Sequence, residues 1–320
     1  MNIIKLVQAI KIGVIKIEIL NYLSTNIAEA LKFQNIEHFF ETLEEIRLRS
    51  NQNIILKLSN QELIIDYKVT IKDLLETLEK VTENSIYTYE NQISNGFITL
   101  HGGHRVGIVG NAVLKEDNVI NISYISGMNF RIARQIKGCG NFILKDLYNN
   151  GEFQNTLIVG IPGSGKTTLL KDLIRQISNG NHYGKGLNVG VVDERNEIAA
   201  MYKGIAQIDL GLRTDVISNI PKSLGIKMLI RSMAPQVIAV DEIGGKQDAE
   251  NIFYAMCSGS KGIFTAHGNS ISDIKSNPEL RELIDSKVIE RIVILDKNTR
   301  EKISNLYFLD NEKKEYRKCI

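Results

Sequence analysis

"TLIVGIPGSGKTT", residues 156–168, decides how this chain folds. Its first five residues are a continuous apolar run, the pattern of a short strand buried on both faces. The last nine satisfy the spacing GxxxxGK(S/T), with glycines at 160, 163 and 165. "KTTLLKDLIRQISN" then has helical spacing and stops at Gly180. A glycine-rich turn between a strand and a helix lets backbone N–H groups close around phosphate oxygens, and the helix N-terminus adds partial positive charge. Gly160, Pro162, Gly163, Ser164, Gly165, Lys166, Thr167 and Thr168 are therefore candidate nucleotide contacts. Lys166 would reach the β and γ phosphates, and the Thr167 hydroxyl would ligate Mg²⁺.

Three more apolar runs, "LNVGVVD", "PQVIAVD" and "KGIFTAH", each end on a polar or charged residue. Alternation of such runs with helical segments predicts an α/β core with a mainly parallel sheet, which binds ligands at the carboxyl ends of its strands. At the end of the second run stand Asp241 and Glu242. The expectation is that Asp241 holds the metal, directly or through water, and that Glu242 orients or deprotonates the attacking water. "VVDERNEI" puts Asp193, Glu194, Arg195 and Glu197 at another strand end, as groups for water or Mg²⁺ or as a solvated turn before a following helix. His267 closes the third run, where a neutral imidazole would face the same crevice and could bond the γ phosphate or the water.

Before this core lies a smaller α+β half. "TIKDLLETLEKVTE", residues 70–83, has helical spacing, while "EIRLRSNQNIILKL" and "GFITLHGGHRVGIVGNAVL" read as strands and turns. The pattern shifts near the polar stretch "LYNNGEFQN", residues 147–155. The arginine-bearing segment "NFRIARQIKG" closes the first domain, so the domains are drawn at about 1–135 and 136–320. The tail from Val288 reads as strands joined by polar turns, an antiparallel edge.

Composition excludes several classes. Lys and Arg number 39 against 37 Asp and Glu, so no overall charge favours a polyanionic partner, and there is no Trp for base stacking. Cys139, Cys257 and Cys319 lack metal-ligand spacing and read as reduced thiols in a cytoplasmic protein. The Ile-rich first 23 residues carry Lys5, Lys11, Lys16 and Glu18, which exclude a signal peptide or a spanning helix and fit a helix packed on its own domain or, as the alternative, an amphipathic segment resting on a membrane or partner.

Taken together, the order of phosphate loop, acidic strand end, "PQVIAVDEIG" and "TAHGN" resembles the ATPases of type II and type IV secretion. "VVDERNEIA", "GLRTDV", "LIRSMAPQVIAVDEIG", "GGHRVGIVG" and "IKGC" more closely resemble the stage III sporulation protein AA family of endospore-forming bacteria. The resemblance implies a P-loop NTPase core of the RecA/AAA-like kind, using ATP and Mg²⁺. It assigns Glu194 or Glu197 to the Asp box, Asp241 with Glu242 to Walker B, and His267 to the His box. Arg131 and Arg134 match the segment that offers arginines to the nucleotide. It further implies a homo-hexameric motor, peripheral to a membrane through an integral-membrane partner of the mother cell–forespore channel. Three positions depart from the secretion pattern: Asp241 stands where a Gly usually precedes the Walker B Glu, Gly244 stands where an Arg is usual two residues on, and Gly268 follows His267 in place of Thr. Which acid is the base stays open at this level. A nucleic-acid-dependent ATPase, helicase- or recombinase-like, is the alternative reading of the same core, and a scaffold that binds nucleotide without hydrolysis is a third.

Overall fold

The computed structural model describes residues 19–34, 36–296, 303–310, 312–313 and 315–319. Residues 1–18, most of the N-terminal segment expected to form a helix, lie outside them. The chain divides into two compact units, Met1–Arg134 and Gln135–Ile320.

In the first unit, helix α1 (Thr25–Phe33) starts at Ser24, whose hydroxyl accepts the Ile27 amide. Strands β1 (Leu43–Arg49), β2 (Asn53–Leu58) and β3 (Glu62–Lys68) follow as a meander, then helix α2 (Ile71–Val81) and the short helix α3 (Glu90–Ser94). The helix expected over this segment forms, and Thr70 and Asp73 make a capping box at its start. Strands β4 (Phe97–Thr99), β5 (Arg105–Lys115) and β6 (Asn118–Arg131) complete an antiparallel sheet of order β3-β2-β1-β6-β5-β4. Alternate residues Ile46, Leu48, Ile54, Leu56, Val106, Ile108, Met128 and Phe130 are buried with Ile27, Leu31, Leu74 and Leu78 of the helices. This is the one-sided core of a sheet covered on one face.

Beyond Val109, strands β5 and β6 continue as a ribbon with both faces largely exposed. Val109 pairs with Gly127 and Asn111 with Ser123, so Tyr124, Ile125 and Ser126 stand opposite Gly110 alone. Gly110 is required there because a Cβ would meet the Ser123 and Tyr124 carbonyl oxygens. Glu116 and Asp117 both take positive φ at the ribbon's turn, as the tightest hairpins need.

His104, from the "GGHRVGIVG" stretch, is 1% exposed in this unit. Its Nδ1 accepts the Ala133 amide at 3.0 Å, which leaves the proton on Nε2, and Nε2 has no partner among the described residues. Burial, aided by His101, pushes its pKa down to about 4 from 6.5. The unfolded chain therefore binds a proton between these values that the folded chain does not. Stability is complete above pH 6.5 and falls as the pH drops toward 4, by up to ~3 kcal/mol. Melting of the first unit is expected to drop between pH 7 and 5 more steeply in the native protein than in His104→Asn. Parallel pH profiles of the two would contradict this assignment.

The second unit carries the predicted alternation. The polar stretch near residue 150 forms a tight hairpin of β7 (Tyr148–Asn149) and β8 (Glu152–Phe153) inside this unit. Next come β9 (Thr156–Gly160), α4 (Lys166–Asn179), β10 (Val189–Asp193), β11 (Thr214–Ser218), α5 (Lys222–Met233), β12 (Val237–Val240), α6 (Lys246–Cys257) and β13 (Lys261–His267). Helices α7 (Ile271–Ser276) and α8 (Pro278–Asp285) precede β14 (Arg291–Leu295), β15 (Ile303–Asp310) and β16 (Glu315–Lys318). The sheet order is β11-β10-β12-β13-β9-β14-β15-β16, parallel from β11 to β14 and antiparallel thereafter. Ile158, Val191, Ala239 and Ile263 face a layer with Leu170, Leu173 and Ile177 of α4. Leu157, Val159, Val192, Val240 and Phe264 face the other layer with α5, α6 and α8. Cover on both faces explains why these strands read as unbroken apolar runs.

No helix follows β10, contrary to the sequence reading; residues 194–213 are irregular. The Asp193 carboxylate accepts the amides of Glu197, Ile198 and Ala199, and Asn196 bonds both backbone groups of Met201. Such side-chain bonds offer the backbone an alternative to a helix, and Asn196 and Ala200 take positive φ.

Candidate active site

Strands β9, β10, β12 and β13 are parallel neighbours, so their last residues share one edge of the sheet. His267 pairs in register with Gly160, the first glycine of the phosphate loop. That register places the terminal histidine of "KGIFTAH" beside the loop.

Gly163 and Gly165 take φ of 75° and 95°, conformations that turn successive amides toward one centre. Lys166 Nζ donates to the carbonyls of Gly160 at 2.7 Å and Ile161 at 3.2 Å, and lies 3.5 Å from His267 Nδ1. Burial lowers the Lys166 pKa, and Asp241 and Glu242 act in the opposite sense. The Thr167 hydroxyl donates to Asp241 Oδ2 at 2.8 Å. The Ser164 hydroxyl is buried and has no partner among the described residues.

Asp241 also receives the Thr265 hydroxyl on its other oxygen. Thr265 Oγ1 in turn accepts the Glu242 amide at 2.8 Å, and the Thr265 carbonyl accepts the Ile243 amide at 2.8 Å. One threonine of β13 thus fixes the chain where it leaves β12. Glu242 there has φ of 54°. Its carboxylate meets Arg195 Nη1 at 2.7 Å on one oxygen and His267 Nε2 at 2.9 Å on the other. The tautomer compatible with both His267 contacts carries the proton on Nε2, donating to Glu242 and accepting from Lys166 on Nδ1. Phosphate-loop lysine, histidine and acid are therefore joined in one line.

Glu194, Glu197, Asp241 and Glu242 line a small cavity of about 20 Å³ with Lys222, room for about one water. Lys222 Nζ donates to the Glu242 carbonyl at 2.7 Å and lies 3.4 Å from Asp248 and 3.5 Å from Glu194. Asp193 is a scaffold: burial raises its pKa, against the three amides of the following loop that favour its ionised form. Pro162 is exposed on the loop, and Thr168 is half-buried on the first turn of α4. Arg131 and Arg134 belong to the first unit. Arg134 donates there to the carbonyls of Phe40 at 3.2 Å and Leu43 at 2.7 Å, and Arg131 stands exposed at the end of β6.

Lys222 and Thr265 are site residues that the sequence reading missed, and Arg195 pairs with Glu242 where the sequence offered it only as one group of a cluster for water or Mg²⁺. Arg195 lay in a charged cluster already singled out, whereas Lys222 and Thr265 had no local signal. The donors suit Mg²⁺: a hydroxyl and a carboxylate in direct contact at the loop. Magnesium sites next to phosphates have this character, with one or two carboxylates and the phosphates supplying the rest.

The model of the family described as sporulation stage III, protein AA, matches residues 15–313. Stage III sporulation protein AA of Bacillus subtilis (strain 168) is 39% identical over 255 residues, covering 80% of this chain and 83% of that protein. The chain belongs to the stage III sporulation protein AA family. Among solved structures, the ATPase DotB of Yersinia pseudotuberculosis superposes with a TM-score of 0.59 at 13% identity, covering 89% of this chain and 80% of that one. The pilus retraction motor PilT with bound ADP gives 0.55 at 14% identity, covering 81% and 76%. At these identities the likeness is one of fold: this member of the sporulation family has the P-loop architecture of secretion and pilus ATPases. Among the described residues no helix is long and apolar enough to cross a membrane.

Proposed function

We propose that the protein hydrolyses ATP with Mg²⁺ and acts as a secretion-type motor for the mother cell–forespore channel. The observation that carries this reading is the line Lys166–His267–Glu242 beside the Thr167–Asp241 pair. When bound, Mg²⁺ would supply charge neutralisation at the terminal phosphates. Thr167 and Asp241 are the residues to hold it. Lys166, freed from the loop carbonyls, binds the β and γ phosphates. With Asp241 bonded to Thr167 and assigned to the metal, Glu242, which His267 joins to the loop lysine, is the acid assigned to orient and deprotonate water. Glu194, Glu197 and Lys222 line the cavity where that water sits, and Lys222 holds the Glu242 backbone. His267 touches both lysine and base, so a change at the terminal phosphate alters the contact that steers Glu242.

The sporulation family and the secretion-ATPase fold support a homo-hexamer in the cytoplasm of the mother cell, docked on an integral-membrane partner of the channel. Arg131 and Arg134 are assigned to the nucleotide, supplied within or between subunits; a contribution of ~10³ or more in rate is typical of such arginines. Phosphate release from Mg-ATP, measured across protein concentrations, tests the reading. Specific activity is expected to rise steeply with concentration as rings form, and no release at any concentration would overturn it.

A further inference from the structure

The outward part of strands β5 and β6 has no part in the chemistry above. From Gly107 to Leu114 and from Asn118 to Phe130 no residue is charged. Val109, Leu114, Ile120 and Tyr124 of this ribbon are 60%, 61%, 48% and 85% exposed. Its charges stand at the turn, where Lys115 faces two acids, Glu116 and Asp117. Strand β1 pairs with β6 only as far as Gly127, and β4 with β5 only as far as Gly107, so both outer edges of the ribbon are open. An apolar ribbon with open edges associates unless something covers it.

The same unit carries a surface that fits it. Helices cover one face of the sheet; on the other, Arg47 and Arg49 alternate with buried Ile46 and Leu48. From the turn between β1 and β2 to the edge strand β3, this bare face forms a groove of about 520 Å³, within the ~300–1,000 Å³ typical of sites that enclose a whole ligand. The register partners Ile55 and Ile64 supply its apolar floor, Arg49 and Lys68 are its exposed cations, and no acid lines it among the described residues. On the other side of Arg49 the trough continues over Gly107 and Gly127, where no side chain fills the face. Arg47 is held by Glu45 at 2.6 Å, which leaves Arg49 and Lys68 to answer an incoming charge.

We propose that this groove seats the ribbon turn of a second copy of the chain, with Glu116 and Asp117 against Arg49 and Lys68, and Leu114 and Ile120 over Ile55 and Ile64. Charge selects the occupant. A ribbon with one lysine and two acids has nothing to hold an anionic membrane or a nucleic acid, whereas the groove complements both its acids and its apolar residues. Ribbon and groove are different surfaces, so the contact repeats head to tail and can close a ring. It gives the homo-hexamer proposed above one of its interfaces, and rests on that reading for the number of copies.

Sedimentation velocity of the full chain across concentrations, with and without Mg-ATP, tests the contact. The native protein is expected to assemble beyond two copies. Glu116→Lys with Asp117→Lys makes ribbon and groove both basic, and Arg49→Glu with Lys68→Glu makes both acidic. Each double variant alone is expected to raise the apparent dissociation constant about tenfold or more, with melting temperature unchanged. A 1:1 mixture of the two restores opposite charges at every contact and recovers assembly, a result that simple surface damage cannot give. Variants that assemble like the native protein, or a mixture of folded variants that stays apart, would overturn the contact. A native assembly that stops at two copies would overturn its head-to-tail form. Native protein that stays single at every concentration yet releases phosphate from Mg-ATP removes this interface and leaves ATP hydrolysis standing. Recovery in the mixture without phosphate release from the native protein keeps the interface and sinks the motor reading.

Discussion

Lys166→Ala is expected to abolish both ATP turnover and any rise in melting temperature with Mg-ATP. Lys166 is the cation whose ammonium sits on the Gly160 and Ile161 carbonyls and beside His267, at the centre of the line that reaches Glu242. Loss of one preorganised donor to a reacting phosphate costs roughly 10²–10³ in rate. Binding suffers as well, because the same group holds the ground-state phosphates. At 100 Kd of nucleotide the linked stabilisation of the native protein is about 2.7 kcal/mol, and this increment vanishes in the variant. The fold itself is retained, since the loop glycines and the apolar face of α4 do not depend on the lysine. A variant that keeps its ATP-dependent melting shift would remove Lys166 from the phosphate site.

Glu242→Gln has a different signature, with binding preserved and turnover lost. Glutamine keeps an oxygen for Arg195 or His267 but cannot take a proton from water, and loss of a general base costs roughly 10²–10⁴ in rate. The Arg195–Glu242 pair is exposed, so removing its charge has little effect on stability. Light scattering on a sizing column is expected to show the variant shifting from monomer toward a closed ring on addition of Mg-ATP, trapped before hydrolysis. Asp241→Asn provides the contrast: it weakens the Mg²⁺ dependence of nucleotide binding, because the side chain it alters is the one bonded to Thr167. If Glu242→Gln turns over normally and Asp241→Asn alone is inactive while keeping its Mg²⁺ response, the two acids exchange roles.

The site was legible in the sequence wherever a chemical group sits at the end of an apolar run. Strands covered on both faces must be apolar throughout, so the polar residues that end them, Asp193, Asp241 and His267, stand out against the background. Register alone then brought His267 to Gly160 without any further signal. Thr265 was hidden by the same rule that exposed the others: inside "GIFTAH" a threonine reads as one more buried strand residue, and only the pairing of β13 with β12 turns its hydroxyl to Asp241. Lys222 was hidden because its partners are Glu194, Asp248 and the Glu242 carbonyl, 20 or more residues away. The helix expected after "VVDERNEI" fails because the acid at the strand end takes three amides that a helix would use. In the first unit the segment "NVINISYISGMNFR" carries Asn and Ser among its apolar residues, and the extra residues opposite Gly110 break its alternation. No period of 2 survives from one end of the strand to the other, which is why β6 has no clear signature.

The left-handed backbone at Glu242 restricts which residues can stand there. Glycine and asparagine adopt φ near 54° readily, whereas a glutamate there costs roughly 1–2 kcal/mol and a β-branched residue more. Selection for folding alone would move position 242 toward glycine. Glu242→Gly is therefore expected to relieve this strain while removing the carboxylate that meets Arg195 and His267, giving a protein that folds at least as well and turns over less.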